Sequence, residues 1–323
     1  MALRKTPQSR NAHAMDGSVA NPKPFRAIAI RIVAALALST MAMLIKLAGD
    51  RGAHLAELIF WRQAIATVII GGFLVAIGRF ATVRTQRFGA HLTRAVIGVT
   101  SMVFLYGTVL LLPLAEATAI NFTAPFFAVM LSVILFREKV GLYRWGAVIF
   151  GFLGVLIITQ PGADVINPLG VATGLIGAFF VALISYQIQD LNKTESPWSI
   201  VFWFGALSAP IAAVFLPAFA GTHDAQTWMI IVLMGICGAV AQLLLTASLR
   251  FGSAATIIII DYTSLLWAVA YGWSVFGDAP SSGLWLGAPL ILCAGLLVAW
   301  REALIARKAP ARNPLEPTEP PPH

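Results

Sequence analysis

Long apolar runs, cut at regular distances by charges, prolines and glycine clusters, fill most of this 323-residue chain. A hydrocarbon core about 30 Å thick takes roughly 20 apolar residues per helix. Splitting the runs at their polar breaks predicts ten such segments: 27–48, 55–77, 92–112, 114–136, 142–160, 169–189, 198–220, 228–249, 252–276 and 283–300. Only Leu112-Pro113-Leu114 parts the third from the fourth, but their joint length, about two crossings, favours two helices. Outside the runs, residues 1–26 are polar and irregular and 301–323 end in a proline-rich tail; both read as disordered cytoplasmic extensions.

Composition turns the runs into a membrane assignment. Hydrophobic residues make up 59% and charged residues 11% of the chain, with a mean hydropathy of +0.83, whereas soluble domains carry about 25% charged residues. The fold class expected is all-α integral membrane. A net charge of +8 suggests nucleic acid at first, but the basic residues sit in short links and at the two ends, as in the cytoplasmic loops of a membrane protein. With the N-terminus inside, alternation leaves nineteen Lys and Arg on the inner side and only Arg51 outside, with Lys46 and Arg62 within spans. Both termini are therefore expected in the cytoplasm of a multi-pass inner-membrane protein. The first apolar stretch is too long for a cleaved signal, and Cys237 and Cys293 lie in apolar spans with no metal-pair spacing.

A shift of 140 residues brings 98–160 onto 238–300 without a gap. Gly98 meets Gly238, Thr123 meets Thr263, Phe136 meets Phe276, Glu138 meets Asp278 and Trp145 meets Trp285. Half a chain is then five spans, and an odd number makes the second copy enter from the opposite side. The predicted domains are two inverted five-helix repeats, 27–160 and 161–300, with cargo held near the midplane between them.

One carboxylate stands out. Asp261 follows four isoleucines and faces Asn121 in the repeat. Counted from Gly252, it lies roughly 14 Å deep. Such a group carries a coupling proton, meets a cationic cargo, or neutralises Arg62. Arg62, beside Trp61, is either an anchor for an anionic cargo or half of a structural pair. Lys46 is read as snorkelling to the outer interface, and Glu116 as stabilising a helix N-terminus. Tyr106, Asn121, Tyr186, Gln187, Gln242 and Tyr262 are polar groups inside spans that could line a cavity or join helices.

The stretches AELIFWRQ (56–63) after KLAGDRG (46–52), LPLAEATAINFTAPFFAVMLSVILFREKV (112–140) and DYTSLLWAVAYGWSVFGDAPS (261–281) give the chain its resemblance. In order and spacing it resembles the drug/metabolite transporter superfamily, in its ten-helix EamA-type branch, over about residues 27–300. The resemblance implies a cofactor-free secondary carrier with a cavity lined chiefly by spans 1, 3, 4, 6, 8 and 9. Relatives with a similar DYTSLLWA stretch take up S-adenosylmethionine or riboflavin, while others export amino acids or drugs. The first half has Pro125 where the second has Leu265, so the ninth span is expected to be straighter than the fourth.

The reading is a small-metabolite transporter working by alternating access, with no cofactor, metal or nucleic acid; a homodimer stays open. The rival is a lipid-modifying membrane enzyme, but the five histidines lie in tails and short loops with no HExxH or GxSxG. No P-loop supports direct ATP coupling, and no filter sequence supports a channel. Topology is tested by reporter fusions: positions 51 and 164 are expected outside and 84 and 307 inside, and a consistent inversion contradicts the orientation.

Overall fold

A computed structural model describes residues 24–137, 140–160, 166–248 and 260–308. Both terminal tails, Glu138, position 164 and the approach to Asp261 from 249 to 259 lie outside the described residues. The described chain is helical, and no strand occurs in it. In order the helices are α1 (Pro24–Asp50), α2 (Leu55–Ala76), α3 (Phe88–Leu111), α4 (Leu114–Asn121), α5 (Ala124–Phe136) and α6 (Leu142–Thr159). There follow α7 (Pro168–Leu191), α8 (Pro197–Ala213), α9 (Leu216–Phe219), α10 (Ala225–Ser248), α11 (Thr263–Tyr271) and α12 (Ser282–Lys308).

Eight stretches among the described residues are long and apolar enough to cross a membrane. Side chains such as Val68, Ile134, Leu142, Leu266 and Trp285 point outward, an apolar surface that fits lipid and not water. The interior is also mainly apolar, but Ser39, Arg62, Gln63, Arg94, Ser101, Thr108 and Ser208 are buried within it.

Helix starts follow local chemistry. His54 and Glu57 form a reciprocal capping box on α2. Asn167 and Ser196 cap α7 and α8, and each of these helices opens on a proline whose missing N–H costs nothing there. The seventh predicted span is shorter than expected: α8 ends at Ala213, a turn intervenes, and α9 runs only four residues.

The fourth span, Leu114–Leu135, is crossed by two helices in series. Phe122 and Thr123 form a turn between α4 and α5, and Thr123 donates its hydroxyl to the Ile120 carbonyl at 2.7 Å. Pro125 contributes, because it lacks a donor and disfavours helix at the residue before it. The ninth span breaks at the equivalent place: Tyr262 is a turn, and Thr263 donates to the Ile260 carbonyl at 2.7 Å. The straighter ninth helix expected from Leu265 is thus not found: the span breaks at Tyr262 without a proline.

The helices pack as a bundle in which α1 lies along α10, α3 along α7, α6 along α12, and α2 against both α8 and α10. Between α6 and α12 the approach is close because Gly154 faces Gly287; a Cβ on Gly154 would stand 2.7 Å from the Gly287 carbonyl oxygen. At the end where α1 finishes, Arg51 pairs with Asp224 at 3.2 Å, and His223 reaches Glu57 at 3.1 Å. At that same end the Lys46 amine donates to the Leu112 carbonyl at 2.7 Å, tying α1 to the end of α3. At the opposite end Arg87 pairs with Asp190 at 2.6 Å, and His91 faces Glu195 at 3.8 Å.

Because backbone cannot give way, Gly154→Ala and Gly287→Ala are each expected to destabilise the bundle by about 1–3 kcal/mol, seen as a lower melting temperature in detergent. Gly72→Ala, which meets nothing within 4 Å, is expected to show no loss.

Candidate functional site

Arg62 is the eighth residue of α2 and buried. It fits because Gly238 of α10 has no side chain: a Cβ there would sit 3.2 Å from the Arg62 Nε. Its Nη1 donates to the Gln63 Oε1 at 2.7 Å and approaches the Met102 sulfur at 3.8 Å, while its Nε has no hydrogen-bond partner. Arg94, in the second turn of α3, is 6% exposed. Its guanidinium lies 4.3 Å above the Phe204 ring centre, a cation–π geometry, and its Nε and Nη1 are buried without a partner. The two arginines are near enough for one charge to act on the other.

A cavity of about 380 Å³ opens beside Arg94, lined also by Arg31, Ser185, Asn192, Gln242 and Leu245. Gln242 and Val201 continue into a narrow cleft that holds Arg62, Gln63 and Phe204. The larger space is within the range of small-ligand sites. It lies between α1, α3, α7, α8 and α10, so of the spans the resemblance implied 1, 3, 6 and 8 line it, joined by span 7, and no described residue of span 4 or 9 does.

Arg31 carries the partner of Asp261. Its Nε meets Oδ1 and its Nη2 meets Oδ2, both at 2.5 Å, the parallel fork that planar guanidinium makes with carboxylate. Arg62 does not take that role. Arg31 sits about one turn into the candidate span that starts at Ile28. The pair is therefore nearer the start of α1 than the middle of the bundle.

The remaining predicted residues fall in three places. Tyr106 is buried, its hydroxyl has no partner, and Arg62 lies close enough to act on it. Asn121 and Tyr262 stand at the two helix breaks, and Phe122 meets Tyr262 edge to face at 4.8 Å. Trp61 packs edge-on against Trp228 at 5.3 Å, and Gln187 lines a separate pocket with Tyr186 and Asp190. Arg62, Gln242 and Tyr106 thus gather on one side, Asp261 joins them through Arg31, and Trp61 and Gln187 stand apart.

Sequence reasoning assigned Arg31 and Arg94 to the charge count of the inner side and missed both as lining residues. The signal was present: Arg94 lies two residues inside the predicted third span and Arg31 four inside the first.

The profile of the EamA-like transporter family matches residues 25–160 and again 168–300. A riboflavin transporter of Vibrio cholerae is 34% identical over 72% of this chain and 78% of its own length. A pseudopaline exporter of Pseudomonas aeruginosa is 26% identical over 81% of this chain and 93% of its own. An S-adenosylmethionine uptake transporter of Rickettsia bellii is 28% identical over 77% and 85%. With both halves of its length matched by that profile, and a bundle whose polar groups face inward around a cavity, this chain belongs to the EamA-like transporter family and is a multi-pass membrane transporter of small molecules, not an enzyme.

Proposed function

We propose that the chain crosses the cytoplasmic membrane ten times as two inverted five-helix repeats, 27–160 and 161–300, and moves a small organic metabolite by alternating access between them. The observation that carries this reading is the pair of matched helix breaks. Each interrupts the fourth span of its half, each is closed by a threonine hydroxyl on the carbonyl three residues back, and Phe122 and Tyr262, equivalent in the repeat, touch. Discontinuous helices at a repeat interface are where such carriers place cargo.

Packing supports the exchange of halves. Swapping span 1 with 6 and span 3 with 8 turns the α1–α10 contact into the α7–α3 contact, and both are present. The same swap turns the Arg51–Asp224 tie at one end into the Arg87–Asp190 tie at the other. The family profile matching twice supports duplication as well.

The predicted site residues enter as follows. Arg62, Gln242 and Tyr106 face the cargo; Asn121 and Tyr262 stand at the breaks; Trp61 and Gln187 support neighbouring helices. Asp261 is the coupling group: protonation would release Arg31, whose side chain lines the cavity, and so link proton movement to access. The relatives named above supply the cargo panel, with riboflavin first, followed by S-adenosylmethionine.

The test is counterflow in proteoliposomes holding the purified protein. Labelled cargo is expected to enter against unlabelled cargo inside, and flux of none of the panel over empty liposomes contradicts the reading. Asp261→Asn is expected to lose accumulation driven by a pH gradient while exchange persists, because exchange needs no net proton movement. Wild-type accumulation by that variant removes Asp261 from coupling. If the pair is structural only, Asp261→Asn and Arg31→Gln are each unstable and the double variant folds better than either.

A further inference from the structure

The polar groups at the meeting of the cavity and the cleft are unequal in kind. Arg94 Nε, Arg94 Nη1, Arg62 Nε and Gln63 Nε2 are all buried and all lack a partner. Each is a donor. Guanidinium has five N–H groups and no acceptor, and the Gln63 oxygen, the acceptor of its own amide, is already taken by Arg62. Neither Arg62 nor Arg94 is in an ion pair among the described residues; the nearby carboxylate, Asp261, is engaged by Arg31.

Leaving a buried donor unpaired costs about 1–3 kcal/mol, and more for a charged group. Two buried like charges in mutual range add repulsion. A structural pair would be expected to carry its own carboxylate. Here, among the described residues, the counterpart is missing at the place where a ligand-sized space opens beside Arg94, and Phe204 holds the guanidinium there through its ring face.

From this geometry we infer that Arg94 and Arg62 together form a donor-only subsite that reads an oxygen-acceptor edge of the cargo. The two oxygens of a carboxylate match the parallel donors of one guanidinium, and a carbonyl oxygen of a heterocyclic dione accepts singly from either arginine. An amine end is excluded, since it brings positive charge and more donors. The inference rests on the transport reading and adds the cargo's recognised end. It also gives Arg94, which the sequence placed in a loop charge count, the larger share of recognition, because Arg94 faces the wider space and Arg62 the cleft behind it.

The test is binding to the purified full-length protein in detergent, followed by the quenching of intrinsic tryptophan fluorescence. One arm compares riboflavin with 2-thioriboflavin, whose sulfur is a weak acceptor. The other compares S-adenosylmethionine with its methyl ester. In one arm the parent is expected to bind at least about tenfold tighter than its analogue, and the arm that responds identifies the dione or the carboxylate as the source. Arg94→Lys, which keeps the charge but loses the planar fork, is expected to weaken the parent at least about tenfold and the analogue little. Equal binding of parent and analogue in both arms, binding of neither parent, or wild-type affinity in Arg94→Lys overturns the inference. If Arg94→Lys does not fold, the wild-type comparison decides alone. Counterflow by the wild-type protein separates the two failures: cargo exchange with equal parent and analogue binding leaves transport standing and removes the subsite.

Discussion

Backbone in hydrocarbon must hydrogen-bond to itself, and nearly everything in this structure follows from that. Helices meet the requirement along their length, so the described chain is a bundle of them, apolar outside and in its core, with a few polar side chains buried between helices. Where the helix stops mid-span the requirement has to be met in another way. At the first break the Ile120 carbonyl accepts from both the backbone N–H and the hydroxyl of Thr123, and at the second the Thr263 hydroxyl reaches the Ile260 carbonyl. The breaks are therefore satisfied locally and can persist in the interior, where they bring Phe122 and Tyr262 out of regular helix beside Asn121 and Asp261.

The same logic sorts the charges. Arg51, Asp224, Arg87 and Asp190 pair at the bundle ends, where partial exposure makes them weak stabilisers and good markers of which loops meet. Arg31 and Asp261, 230 residues apart, pair as a fork inside. Among the described residues Arg62 and Arg94 are buried with no carboxylate partner, Arg94 beside the cavity and Arg62 in the cleft. A membrane interior tolerates such charges when they serve a site.

Much of the architecture was legible in the sequence because lipid imposes length. The span boundaries read from apolar runs agree with α1, α2, α3, α6, α7 and α10 to within a few residues, and the 140-residue register put Thr123 opposite Thr263 before their identical bonds were seen. Contacts were less legible. Helical periodicity does not say that Asp261 meets Arg31, nor that Lys46 bonds the Leu112 carbonyl, since both depend on which helices are neighbours. Arg94 was hidden by the rule that reads basic residues near span ends as topology. The break in the ninth span was hidden by its missing proline, because a side-chain bond to backbone leaves no composition signal.

The central claim is that the two halves move about the cavity, so the most direct measurement is of distance. After Cys237 and Cys293 are replaced, spin labels at Ile32 of the first half and Ile188 of the second report the cavity mouth, and a second pair at Leu111 and Leu169, again one in each half, reports the opposite end. The account predicts that, in liposomes with saturating cargo, the two distance distributions shift in opposite directions, one closing as the other opens. Distances that stay fixed at both ends while cargo exchange proceeds would contradict it.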